Sequence, residues 1–277
     1  MAWRLTVGRY LLEQGYRFAP NSIQHPNFEV AVSDRRVVTA TARYGNLKGI
    51  AGVFTFKKEG ADGEELKVQI MVAVRSTIEV IFRFHSTCVM NVITFNRAYC
   101  LYPRATLEER LSLVCTDRRG DELEVVFDKY RERGWSMLSS CTGWTIEPSF
   151  TDIPRWIDDG HTWSIPLQYD FSQPITPVNP HSASITRDPI SITSWTLIPE
   201  RRGRGGTMRF YHVKSSQLFY PYIMECVEMI DTPPITTLLQ AAAHANVCPE
   251  SHTQTDDYRY VDERFMQLCN DYYRVMF

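Results

Sequence analysis

The feature that most constrains this chain lies between residues 52 and 74. GVFTFKK (52–58) and ELKVQIMVAV (65–74) are both rich in β-branched and aromatic residues. The Asp62-Gly63 pair in the EGADGE segment between them favours a tight turn, so the three pieces together predict a β-hairpin. Side chains alternate along a strand. Leu66, Val68, Ile70 and Val72 therefore share one face, which predicts a core. Lys67, Gln69 and Met71 share the other, which predicts a face on a cleft or on solvent.

Around this hairpin the pattern switches between helix and strand. Residues 3–14 place Trp3, Val7, Tyr10 and Leu11 at helical spacing, with Gly15 as the left-handed stop. FEVAV and VVTATA within 28–43 read as extended. From 76 to 106 the reading is a short helix, a second buried helix from about Thr87 and a strand near Ala98–Leu101. Thr106 and Glu109 have capping-box spacing, which predicts a helix with Leu107, Leu111 and Val114 as its stripe. Asp121 and Glu124 repeat that spacing ahead of Leu123, Val126, Phe127 and Tyr130, and Gly134 ends the run. Beyond Trp135 the chain is rich in Trp and Pro, with strand-like SITSWTLI and MRFYHV and a proline-rich connection from Gln173 to Pro180. Two helices close the sequence, one on Ile235, Leu238, Leu239 and Ala242, the other on Val261, Phe265, Leu268 and Tyr272. The expected class is α+β: a small mixed sheet with helices over 1–138, then a Trp/Pro-rich β segment with a helical tail over 139–277.

Composition narrows the setting. The 277 residues hold 30 Lys plus Arg against 32 Asp plus Glu, so the formal net charge is −2. That balance argues against a protein built to neutralise phosphates, and nucleic acid is not the expected partner. No apolar run approaches the ~20 residues that span a bilayer, so no membrane role is expected. Arg4, Arg9 and Glu13 interrupt the start in a way that a secretory leader does not. The 7 cysteines are scattered and odd in number, as reduced intracellular thiols are. A cytoplasmic or nuclear location is the expectation.

The run FHSTCVMNVITFNRAYCLYPRATLEERLSLVC (84–115) carries a resemblance. It is similar to a large set of uncharacterised proteins of mushroom-forming fungi that have a nucleotidyltransferase-like amino-terminal domain. LLEQGYRF, EELKVQIMVA, KYRERGW (129–135) and RWIDDGHTWSIPL (155–167) extend the resemblance over about residues 1–170. The resemblance implies a mixed sheet and a divalent-metal site of a Gly-Ser turn, an Asp-x-Asp pair and a third acid on a later strand. Two magnesium ions held by such hard oxygen ligands clamp both oxygens of a phosphoryl displacement. This sequence departs at two points. The Gly-Ser turn and acid pair belong ahead of the first helix, where the chain starts too late to hold them. The third acid is replaced by Gln69, a poor magnesium ligand that cannot act as a base. The expectation is a catalytically inactive nucleotidyltransferase-like binding or interaction module without a cofactor, its partner a nucleotide or a protein. The alternative is an active enzyme with an incomplete start, which would need Mg2+.

Four further groups bear on function. Lys67 and Gln69 on the hairpin, with His85, Ser86, Thr87 and Asn91 in the apolar block, are the candidate pocket. Helix capping by Ser86 or Thr87 and a core hydrogen bond at His85 are the structural reading of the same residues. His244, Cys248 and His252 are spaced H-x3-C-x3-H, a candidate zinc set that Pro249 interrupts. ERRGRGG (200–206) reads as a hairpin turn between SWTLI and MRFYHV, or as a basic loop for a nucleic-acid backbone. Trp156, Trp163 and the aromatic residues of 258–273 read as core or as a partner surface.

Overall fold

A computed structural model describes residues 2–34, 49–116, 120–140, 150, 152–167, 187–199, 205–225, 228–246 and 260–276. Its class is α+β, with helices and several small open sheets. The chain divides into two compact units, Met1–Val80 and Ile81–Phe277. Residues 81–138, grouped with the amino-terminal region in the sequence, thus fall in the second unit.

The first unit is built on the expected hairpin. Strands β2 (Ile50–Glu59) and β3 (Glu65–Ala73) pair antiparallel, and β1 (Arg17–Ala19) adds to the free edge of β2. Val68, Ile70 and Val72 turn inward with Phe54 and Phe56, but Leu66, expected on the same core face, is exposed near the turn, as are Lys67, Gln69 and Met71 on the other. Helix α1 (Ala2–Glu13) ends at Gly15, whose φ of 82° is the left-handed stop the sequence predicts. FEVAV is not extended. It forms α2 (Phe28–Ser33), capped by Asn27, whose side chain accepts from Val30 N at 3.2 Å. Phe28, Ala31 and Val32 are buried at helical spacing. Phe28 sits edge-on to Phe54 and Phe56, with centroids 5.9 and 5.1 Å away. VVTATA lies outside the described residues.

The second unit opens near α3 (Thr77–Phe82), the short helix in which the chain division falls. The helix expected from Thr87 is a single 3-10 turn, Thr87–Val89, followed by strand β4 (Asn91–Ile93). That strand hairpins onto β5 (Arg97–Cys100), as the β-branched residues of MNVIT favour, and β9 (Trp163–Pro166) completes the sheet. The helix expected from Thr106 is also replaced. A π-helical turn, Arg104–Glu108, holds Thr106 in its interior. Arg110 then adopts φ of 55°, which breaks helical continuation, and the chain enters β6 (Leu111–Leu113). Helix α4 (Asp121–Glu132) forms as expected, with Gly120 as its cap instead of Asp121. It leads to β7 (Ser136–Leu138), which pairs parallel with β6.

In the Trp/Pro-rich region β8 (Pro154–Trp156), β10 (Ser194–Pro199) and β11 (Gly206–Arg209) form one antiparallel sheet. β12 (Tyr211–Val213) and β13 (Tyr222–Met224) form another. Pro199 is in register with Gly206, and residues 200–204 of the arginine-glycine run lie outside the described residues. Helices α5 (Pro233–Asn246) and α6 (Asp262–Met276) end the chain. Trp195, Tyr102, Tyr273 and Phe265 are among the largest fully buried side chains of this unit. Among the described residues, no helix is long and apolar enough to cross a membrane.

A buried ion pair ties together part of the core of the second unit. Arg155 and Asp159 form a two-pronged pair, Nε to Oδ2 at 2.5 Å and Nη2 to Oδ1 at 3.1 Å. The same Nη2 also donates to Leu101 O and to Thr162 Oγ1. The guanidinium lies 5.6 Å from the Tyr102 ring centre and 5.4 Å from that of Trp195. Trp195 Nε1 in turn donates to Tyr102 Oη at 3.0 Å. Burial alone would raise the Asp159 carboxyl. Hydrogen bonds and charge from Arg155, with the N–H groups of His161 and Trp156, outweigh it and hold the carboxyl below its ordinary range.

Candidate functional site

The residues singled out from the sequence take two kinds of position. Lys67 and Gln69 are exposed on β3, in register with Lys57 and Thr55. The Gln69 amide donates to Thr55 Oγ1 at 3.1 Å. His85, Ser86, Thr87 and Asn91 lie in the second unit, where their polar atoms are engaged locally. Ser86 Oγ shares a 2.7 Å hydrogen bond with His85 Nδ1, and Thr87 Oγ1 accepts from Leu113 N at 3.0 Å. His85 packs edge-on to the Phe127 ring and tilted against Tyr130, and burial pushes its imidazole below the ordinary value. Asn91 donates to Cys88 O at 2.9 Å from the open face of the β4–β5–β9 sheet. Exposed Ile93, Trp163 and Ile165 share that face.

Of the candidate zinc set, His244 is an exposed residue near the end of α5, while Cys248 and His252 lie outside the described residues. Among the described residues no group of three His, Cys, Asp or Glu side chains is placed to hold a metal ion. Trp156 is core, its Nε1 donating to Ser191 O at 2.7 Å.

A different set of residues surrounds a cleft of about 230 Å³ in the second unit. The turn of the β4–β5 hairpin supplies Asn96, and β5 supplies Arg97 and Tyr99. The turn after β8 supplies Asp158. The 3-10 helix Pro189–Ile192 and the residues before it supply Arg187, Asp188 and Ser191. Helix α6 supplies Asn270 and Arg274, one turn apart on the same face.

Asp188 anchors this arrangement. It is buried and caps the 3-10 helix by accepting from Ile190 N at 3.1 Å. Its other oxygen accepts from Thr94 Oγ1 at 2.5 Å and from Tyr99 Oη at 3.3 Å. Burial pushes the Tyr99 phenol well above its ordinary value, and the Asp188 charge adds to the shift. Tyr99 is therefore a fixed donor throughout the physiological range.

The remaining groups differ in how far they are engaged. Arg97 donates one N–H to Ser164 Oγ at 2.7 Å. Arg187 pairs with Glu263 through its backbone N–H and, at 3.5 Å, through Nε. Asn270 is 8% exposed, yet its buried Oδ1 has no hydrogen-bond partner among the described residues. The buried Ser191 hydroxyl has none there either. Among the described residues, neither Arg274 nor Asp158 makes a hydrogen bond or ion pair.

None of the described pocket or zinc residues named from the sequence lines this cleft. Its residues come from four separate stretches of chain and share no local spacing. The aromatic reading of α6 missed Asn270, because polar residues sit within the buried stripe Asp262, Phe265, Met266, Cys269, Asn270 and Tyr273. No family model, no curated protein and no solved structure matches the chain.

Proposed function

We propose that this protein is a binding module that holds a small polar ligand without phosphoryl transfer, with the cleft of the second unit as its site. The observation that carries the reading is the pair of buried, unpartnered polar groups, Asn270 Oδ1 and Ser191 Oγ, on two residues that line a cleft. Leaving a buried polar atom unpaired costs about 1–3 kcal/mol. A chain gains from such groups when a ligand completes their hydrogen bonds. The resemblance to a nucleotidyltransferase-like domain fits a binding role as well. The strand position where such an enzyme carries its third acid holds Gln69, and its amide is engaged with Thr55.

The test is a thermal-shift screen of the purified protein against inorganic phosphate, nucleoside triphosphates with Mg2+, amino acids, and small amines and carboxylates. Saturable stabilisation by one class, lost in Asn270→Leu, is the expected result. Turnover of a nucleoside triphosphate with Mg2+ that Gln69→Ala leaves intact would contradict the absence of phosphoryl transfer. A flat response to every class would remove the binding role.

A further inference from the structure

The charges around the cleft specify more than a polar ligand. Three guanidinium groups (Arg97, Arg187, Arg274) face two carboxylates (Asp158, Asp188), and the Arg187 charge is already matched by Glu263. A simple anion such as phosphate would meet two like charges, and a simple cation would meet three. Asp188 is also committed, because its two oxygens accept from three donors inside the protein. The groups left over among the described residues are two cations, Arg274 and Arg97, the latter bonded only to the neutral Ser164 hydroxyl, one anion, Asp158, one buried amide, Asn270, and one buried hydroxyl, Ser191.

That set is complementary to a molecule bearing both charges. A carboxylate matches the planar fork of a guanidinium. An ammonium carries three donors and no acceptor, which suits a carboxylate together with the empty acceptor of Asn270. Size sets a further limit. At ~30 Å³ per liquid water, a cleft of about 230 Å³ has room for about eight waters, or a ligand of roughly that many heavy atoms. This is below the ~300 Å³ at which drug-sized sites begin, and too small for a nucleotide to be enclosed.

Resting on the binding role above, we propose that the cleft takes a small zwitterion of the α-amino acid class. Arg274 receives the carboxylate, Asp158 and Asn270 Oδ1 receive the ammonium, and Ser191 serves either end.

The experiment is calorimetric titration of the full chain with single L-amino acids, following a thermal-shift ranking. The best amino acid is then compared with its counterparts lacking the amine or lacking the carboxylate, and with inorganic phosphate and ATP. The expected result is saturable binding of at least one amino acid, with each single-charge counterpart about tenfold weaker or more. Arg274→Gln and Asp158→Asn should each weaken it by about tenfold. Neither side chain has a partner among the described residues, so the variants should keep the wild-type circular dichroism and melting temperature. Equal or tighter binding of phosphate, ATP or a single-charge counterpart would overturn the zwitterion while leaving the binding role in place. Absence of binding by every probe to the wild-type chain would overturn both. The wild-type comparison stands without the variants, so a variant that fails to fold does not obscure the outcome.

Discussion

Removing the Asp159 carboxylate should be among the most damaging single changes in the second unit. The Arg155 and Asp159 side chains are 4% and 7% exposed, so the guanidinium left behind in Asp159→Ala has no route to water. Arg155 would keep Leu101 O and Thr162 Oγ1 as neutral acceptors, but lose both charged ones. Breaking one side of a buried pair costs about 3–5 kcal/mol, mainly because an uncompensated charge stays buried. Two backbone donors, Trp156 N and His161 N, also lose their acceptor. A loss near the top of that range is therefore expected. Arg155→Met strands the carboxylate instead, which keeps those two donors and so should fall nearer the bottom. The Arg155→Met, Asp159→Leu double variant buries no charge. It should be less destabilised than the two single losses added together, by an interaction energy of about 2–3 kcal/mol. Urea unfolding, followed by the fluorescence of buried Trp195 beside the guanidinium, reports all three. A single-variant loss below about 1 kcal/mol, the range of an exposed pair, would refute the account. So would strict additivity in the double variant.

Three other outcomes follow from the same structure. The Asp159 carboxyl is held below its ordinary value, so its contribution is complete above the unfolded-state pKa near 3.9 and is lost as pH falls through the lower folded value. Wild-type stability should accordingly drop more steeply than that of Asp159→Asn below about pH 4, as measured by urea midpoints from pH 5 downward. Gly205→Ala should destabilise the chain by about 3 kcal/mol in thermal or urea unfolding. Gly205 has φ of 80°, and a Cβ there would lie 1.9 Å from Val114 O, a backbone atom that cannot step aside. Asn270→Leu should raise the unfolding free energy by about 1 kcal/mol, because it removes an unpaired buried acceptor, and should abolish ligand stabilisation in the same thermal-shift assay.

The parts of the fold legible in the sequence are those in which one periodicity runs long enough to exclude the other. The 52–74 hairpin alternates through two strands, and Gly63 takes φ of 76° at its turn, so pattern and turn chemistry agree. Helix α4 and its stop at Gly134, with φ of 94°, are equally explicit. Short apolar runs mislead for a physical reason. FEVAV satisfies both the strand and the helix period over its five residues, and the Asn27 cap decides for helix. Thr106 and Glu109 have capping-box spacing, yet the left-handed Arg110 sends the following apolar residues into a strand. The cleft is not legible at all. Its groups meet only after a hairpin, a turn, a 3-10 helix and the last helix have converged, and no local spacing encodes that convergence.

What separates the cleft from the rest of the buried polar chemistry is completeness. Arg155 and Asp159 satisfy each other and their surroundings. Asp262 at the start of α6 accepts from Phe219 N, Tyr220 N and Tyr222 Oη. Ser194 Oγ shares a hydrogen bond with Tyr273 Oη and accepts from Glu225 N. These networks hold elements in place and leave nothing to offer. The buried hydroxyls of Thr106 and Thr196 also lack partners among the described residues, but each is a single neutral group that lines no part of the cleft. At the cleft two such groups coincide with an unpaired guanidinium and an unpaired carboxylate on the same walls, among the described residues. Arg274 and Asp158 are exposed and need no protein partner, but a folding sequence gains nothing from leaving Asn270 Oδ1 and Ser191 Oγ buried and unpaired on residues of the same cleft. Their coincidence is what a ligand carrying complementary charges would explain, and the predicted gain in stability of Asn270→Leu measures the cost that the free protein bears for it.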